Sequence, residues 1–214
     1  MNSITLKNVM PVPLADTPLH AGSCWKNQLI IDLEKYWLVE APSGTGKSTL
    51  TGIIYGTRND YTGDVLLNEE NYRSLSPGKW SDLRTSFFSC VFQDMRLFPA
   101  LSTLENIVLK NNMTETFGLE QIKHMCMELG LEKQLYQPCG TLSLGQQQRV
   151  AIIRALVQPF KFLLLDEPFS HLDEKNSQKA AEMIIRRCDE NQAGLLLTSL
   201  GNQAYFPFNG NITI

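Results

Sequence analysis

Residues 41–49 read APSGTGKST, with glycine, serine and threonine crowded around a single lysine. That composition suits a cradle for polyphosphate. Gly44 and Gly46 open backbone conformations that a side chain would block, so successive N–H groups can converge on an anion. Leu50, Ile53 and Ile54 follow at helical spacing, and a helix N-terminus favours negative charge. Lys47 would reach the terminal phosphates, and the Ser48 hydroxyl is placed for Mg²⁺. Ala41 stands where the pattern G-x-x-x-x-G-K-[ST] has its first glycine; a methyl group is a small departure. The competing reading is a plain Gly/Ser turn with a surface lysine, and two later stretches weigh against it.

The first is KFLLLDEP. Phe162 to Leu165 form an apolar run that reads as a buried strand. Asp166 then emerges at its carboxyl edge, where a carboxylate can hold a Mg²⁺ shell. Glu167 beside it can take a proton from an attacking water. The second is LSLGQQQR, residues 142–149. Ser143 and Gln146 make a capping box, S-x-x-Q, so a helix begins there. Gly145 lets backbone approach a ligand, which makes this helix start a second candidate anion site.

The elements that must carry these groups are legible in outline. SITLKNV, QLIIDLE, YWLVEA, GDVLLN, FFSCVFQ, KFLLLD, GLLLTS and GNITI read as strands. Helical spacing marks KSTLTGIIYG, TLENIVLKNN, LEQIKHMCMELGL, LGQQQRVAIIRALV and EKNSQKAAEMIIRRC. Strands alternating with helices predict an α/β fold with a mostly parallel sheet covered on both faces. Ligands of such sheets bind at the carboxyl ends of the strands, where the Gly-rich loop falls. From about Arg96 to Pro138 the texture turns helical, with no good strand.

Composition narrows the function. The 214 residues carry a net charge of −3 and no lysine/arginine run, so no nucleic-acid partner is expected. Cys24, Cys90, Cys126, Cys139 and Cys188 are odd in number and scattered, which reads as reduced cysteines of a cytosolic protein. The spacing of a structural zinc site is absent. The first ten residues lack the apolar core of a signal peptide. No stretch has the roughly twenty apolar residues needed to cross a bilayer; a membrane-spanning part would belong to another chain.

Together these motifs resemble those of the ATP-binding-cassette (ABC) ATPases. APSGTGKST resembles Walker A, VFQD the Q-loop, LSLGQQQR the family signature, LLLDEP Walker B, and SHLD (170–173) the D-loop, all in the family's order. The wording is nearest to the subfamily serving lipoprotein release, macrolide export and cell division. The resemblance implies a P-loop NTPase fold with antiparallel strands near the N-terminus. It implies a nucleotide-binding core over about 1–95 and 150–214, and a helical signature subdomain over about 96–149. It implies ATP held by Ser43, Gly44, Thr45, Gly46, Lys47, Ser48 and Thr49, with Mg²⁺ held by Ser48, Gln93 and Asp166. Glu167, Gln93 and Lys47 would carry hydrolysis. It implies a head-to-tail homodimer or heterodimer in which Ser143, Gly145 and Gln146 of one subunit cap the ATP of the other. Asp173 would lie at that interface and also cap the next helix. A separate transmembrane permease would hold the dimer on the cytoplasmic face of the membrane. The apolar Met95, Leu97 and Phe98 would either help form the groove for that partner or only pack the helical region.

The chain departs from the family in three places. Ser199 stands where the family has its switch histidine, so Ser199 is the residue left to act at that point and hydrolysis is expected to be slow. The aromatic residue that stacks on adenine is absent; Val12 lies there between prolines, and Trp25 is a candidate substitute. Leu144 replaces a signature glycine, while Gly145 is kept. Two functions of different class follow. One is an ATPase subunit driving a membrane transporter. The other is a slow or inactive ATP-gated dimerisation module.

Overall fold

The computed structural model describes residues 2–20, 22–42, 44–199 and 204–214. Five strands form a parallel sheet in the order β6-β7-β8-β3-β9: β6 (Phe88–Val91), β7 (Phe162–Asp166), β8 (Gly194–Ser199), β3 (Tyr36–Glu40) and β9 (Gly210–Ile212). Four others, β1 (Ser3–Pro11), β2 (Gln28–Asp32), β4 (Tyr61–Leu67) and β5 (Glu70–Asn71), form an antiparallel sheet in the order β2-β1-β4-β5. The fold is thus α/β with one sheet of each kind, as expected.

Every residue of β7 and β8 is buried, and their two faces serve two different cores. Side chains alternate across a strand. Leu163, Leu165, Leu195 and Leu197 face one way, toward α3 (Thr103–Asn111), α4 (Leu119–Glu128), α5 (Leu144–Leu156) and α6 (Glu174–Asn191). Phe162, Leu164 and Leu196 face the other, toward α1 (Lys47–Ile54), α2 (Pro77–Ser86) and the antiparallel sheet. Burial on both faces explains why these strands read as unbroken apolar runs.

Because the strands are parallel, the loops after β3, β6, β7 and β8 all leave from one edge. The register pairs Glu40 with Ser199 and Asp166 with Thr198. The Gly-rich loop, the segment carrying Gln93, the Asp166–Glu167 pair and Ser199 therefore share that edge. Among the described residues no helix is long and apolar enough to cross a membrane. All five cysteines are free, and burial raises the pKa of each, with Cys24, Cys126 and Cys188 pushed up to about 12.

Candidate functional site

The loop after β3 enters α1 through two left-handed glycines, Gly44 (φ 80°) and Gly46 (φ 113°). Gly46 is the N-cap of α1, and no side chain caps the helix there. A Cβ on Gly46 would lie 2.7 Å from Leu14 Cδ1 and 3.3 Å from Trp25, so only glycine passes. Ala41 keeps an ordinary backbone conformation, which is why alanine is accepted there. Thr45 Oγ1 donates to the Pro42 carbonyl at 2.8 Å. Thr49 accepts from Arg58 at 3.5 Å. Ser43 lies outside the described residues.

Lys47 is 5 % exposed and its ammonium is fully engaged. It donates to the Ala41 carbonyl at 2.6 Å and the Pro42 carbonyl at 3.3 Å, and pairs with Glu167 Oε1 at 3.2 Å. Gln93 joins the other two loops. Ser48 Oγ donates to its Oε1 at 3.2 Å, and its Nε2 donates to Glu167 Oε2 at 3.4 Å. Lys47, Ser48, Gln93 and Glu167 thus converge with Gly44, Gly46, Thr49 and Leu14 around a cavity of about 210 Å³. A second cleft of about 390 Å³, lined by Asp166, Arg58 and Asp94, shares Ser48 and Gln93 with it.

Glu167 adopts φ 48°, a left-handed conformation that costs an ordinary residue about 1–2 kcal/mol. Its neighbours hold it there. Its N–H donates to the Thr198 carbonyl and to Thr198 Oγ1, at 3.2 and 3.1 Å. Its carbonyl accepts from Gln148 Nε2 at 3.1 Å. Thr198 Oγ1 also donates to Asp166 Oδ1 at 2.7 Å. Burial is the main influence on Asp166 and raises its pKa, against the hydroxyls of Thr198 and Ser48, which lower it. Ser199 is buried at the end of β8, one residue beyond Thr198.

The second candidate anion site stands apart from this cavity. Ser143 caps α5 in the expected box: its Oγ accepts from Gln146 N–H, and Gln146 Oε1 accepts from Ser143 N–H, at 3.3 and 2.9 Å. A Cβ on Gly145 would lie 2.7 Å from the His171 carbonyl, so within one chain this glycine lets the 170–173 loop pack close. Gln148 links the two regions. It donates to the Glu167 carbonyl and to Ser170 Oγ, and accepts from His171 N–H at 2.9 Å. Asp173 caps α6 by accepting from Asn176 N–H at 2.8 Å.

Two expectations need correction. Trp25 is 1 % exposed and packs beneath Gly46; it offers no face to a base, because the phosphate loop covers it. Leu14, which carried no motif, lines the cavity instead. For Met95 and Leu97 the packing alternative holds rather than the groove: Met95 is buried in the core with the helical region, and Leu97 is half-buried against it. Only Phe98 of the three is well exposed. Gln148, Thr198 and Leu14 escaped the sequence reading; the QQQR run and the threonine beside Ser199 were the available signals for the first two.

Comparison with known proteins gives this geometry a family. The ABC transporter family model matches residues 30–170. The thiamine import ATP-binding protein ThiQ of Haemophilus influenzae is 36 % identical over 160 residues, spanning 73 % of this chain and 72 % of that protein. The lipoprotein-releasing system ATP-binding protein LolD of Syntrophotalea carbinolica is 34 % identical over 159 residues, 73 % of this chain and 70 % of its own length. Among solved structures, the dimeric structure of MJ0796, a bacterial ABC transporter cassette, superposes with a TM-score of 0.78 at 27 % identity, covering 92 % of this chain and 88 % of that one. The same cassette, as a post-hydrolysis dimer bound to ADP and phosphate, superposes with a TM-score of 0.76. The chain belongs to the ABC transporter family, as one of its ATP-binding cassettes.

Proposed function

We propose that two cassettes close head to tail around two ATP molecules, and that hydrolysis of the ATP drives a separate transmembrane permease on the cytoplasmic face. The observation that carries this reading is the convergence of Lys47, Ser48, Gln93 and Glu167 from three parallel loops. Before nucleotide enters, Lys47 occupies the Glu167 carboxylate. The terminal phosphates offer Lys47 a stronger anion, and its departure frees Glu167 to accept a proton. An attacking water gives that proton to Glu167, its oxygen bonds to the γ-phosphorus, and the bond to the ADP oxygen breaks. Gln93, within reach of both Ser48 and Glu167, orients the water.

The donors also suit Mg²⁺. Ser48 Oγ, Gln93 Oε1 and Asp166 are hard oxygens, and among the described residues no group of three His, Cys, Asp or Glu competes for a softer metal. Ser48, Gln93 and Asp166 would hold the ion, which when bound neutralises charge on the phosphates. Leu14 gives an aliphatic wall beside the phosphates.

Ser143, Gly145 and Gln146 meet the partner's γ-phosphate in this reading. Ser143 and Leu144 are exposed, as that requires. Ser199 lacks the charge and reach of a histidine, which slows turnover and favours the second reading, an ATP-gated dimerisation switch. The test is Glu167→Gln. With ATP and Mg²⁺ it should elute as a dimer and lose turnover by about 10²–10⁴-fold. A Glu167→Gln protein that stays monomeric at saturating ATP removes the shared site. Wild-type turnover no faster than that of the variant would favour the switch.

A further inference from the structure

With Ser199 at the carboxyl edge of β8, no imidazole of the same strand meets the phosphate. The chain has three histidines. His124 lies on α4 and pairs with Glu128 at 2.9 Å. His20 follows the turn after β1 and is absent from the walls of the phosphate cavity. His171 lies in the loop before α6, directly against the signature glycine Gly145.

That loop is anchored on both sides of His171. Phe169 is buried and stacks on Phe206, with ring centroids 6.1 Å apart. Leu172 packs on the core that α5 and α6 share. The His171 backbone is engaged as well. Its N–H donates to Gln148 Oε1 at 2.9 Å, and its carbonyl comes so close to Gly145 that no Cβ would fit between them. The imidazole is different. His171 is exposed, and among the described residues its ring has no hydrogen-bond or ion-pair partner. An unengaged donor on an anchored loop is in place before charge develops, which is what electrostatic catalysis requires. Imidazole carries at least one N–H in either protonation state.

We propose that His171 is a catalytic residue in trans: on closure its imidazole N–H donates to the γ-phosphate held by the other subunit, where Ser199 stands instead of a histidine. This rests on the head-to-tail reading, in which Gly145 meets that phosphate; a residue in contact with Gly145 arrives with it. The hydrogen bond stabilises charge on the oxygens of the transferred phosphoryl group. No proton leaves the ring, and Glu167 of the subunit holding the nucleotide remains the base. A donor on a surface loop is held less firmly than one at the end of a buried strand, so His171 offsets only part of what Ser199 lacks.

Steady-state phosphate release is measured for the full-length wild type, His171→Ala, Ser199→His and the double variant. His171→Ala should lose about tenfold or more in kcat, with KM changed by no more than about twofold. In the Ser199→His background the same substitution should cost no more than about twofold, because both rings serve one position. Equal losses in the two backgrounds would assign His171 to loop packing and overturn the proposal, as would wild-type turnover in His171→Ala. Mixed dimers locate the ring. An excess of Glu167→Gln chains should restore turnover to His171→Ala, since they bring His171 to an intact Glu167. An excess of chains carrying both Glu167→Gln and His171→Ala should not, and no difference between the two mixtures overturns the placement in trans. Dimerisation of Glu167→Gln with ATP is read alongside: a dimer there keeps the cassette reading standing when His171 fails, and a monomer ends both.

Discussion

Two helix N-termini in this molecule look alike in sequence and differ in structure. α1 begins at Gly46 with no side-chain cap, a left-handed turn, and a buried lysine in its first residue. α5 begins at Ser143 with both arms of a capping box closed. The first N–H groups of any helix need partners. At α1 no side chain supplies one, whereas α5 satisfies its own through Ser143 and Gln146. The first is therefore organised for an outside anion and the second is stable without one. An anion at α5 adds to a finished helix start, which suits a contact made only when a second subunit arrives. Gln148, reaching from α5 to the Glu167 carbonyl, ties the two ends together.

The largest effect that could break this contrast is at the uncapped end. Lys47→Ala should weaken ATP binding by about a hundredfold or more, the scale of losing a buried charge contact. It also frees Glu167 from its ion pair. Titration calorimetry returning a wild-type affinity would remove the cradle assignment.

At the capped end the same kind of change should spare binding. Ser143→Arg is expected to leave the affinity of a single subunit for ATP within a few-fold while suppressing dimer formation and turnover. Ser143→Ala removes the hydroxyl without adding bulk or charge, costing about 1 kcal/mol of cap energy and weakening closure less than Ser143→Arg does. If Ser143→Arg hydrolyses ATP normally, α5 is a capped helix and nothing more.

Ser199 sharpens the comparison from the edge of β8. Ser199→His should raise steady-state turnover by about 10- to 100-fold, the lower range of what one positioned donor contributes. Nucleotide affinity should change little. Unchanged phosphate release in that variant would mean that Ser199 does not limit the reaction.

The contrast between the two helix starts also shows what a sequence can carry. Motif residues were legible because their partners are close in the chain: Ser143 with Gln146, Asp173 with Asn176, the glycines with their own loop. The strands were legible because burial on both faces leaves a continuous apolar run, as in FLLLD and GLLLTS. α2 was missed because it buries only Leu83; its face shows no apolar period, and only the Ser76 cap and Pro77 announced it. Gln148 and Thr198 act on Glu167 across 19 and 31 positions of sequence, and Leu14 reaches the cavity from a turn after β1. Such contacts exist only once the sheet has placed its loops on one edge. Trp25 was misread for the same reason, since an aromatic beneath a loop and one beside it look identical in the chain.

The smallest expected effect is a pH dependence at that edge. Asp166 is buried, and its carboxyl sits above the ordinary 3.8, chiefly from burial. A carboxyl whose pKa is raised on folding holds its proton longer in the folded chain. Its stabilising contribution is complete below pH 3.8 and is lost as pH rises through the raised value. In its ionised form Asp166 thus works against the fold. Asp166→Asn keeps an acceptor for Thr198 Oγ1 and removes the charge. It should melt a few degrees above wild type at neutral pH, with the gap closing as pH falls toward the ordinary carboxylate range. Scanning calorimetry between about pH 4 and pH 8 measures that gap; a gap that stays constant, or a variant that melts lower throughout, contradicts the burial argument. The same variant should lose the extra stabilisation that Mg²⁺ adds to ATP binding. A carboxyl whose ionised form is disfavoured by burial would then gain from a bound cation at the uncapped end.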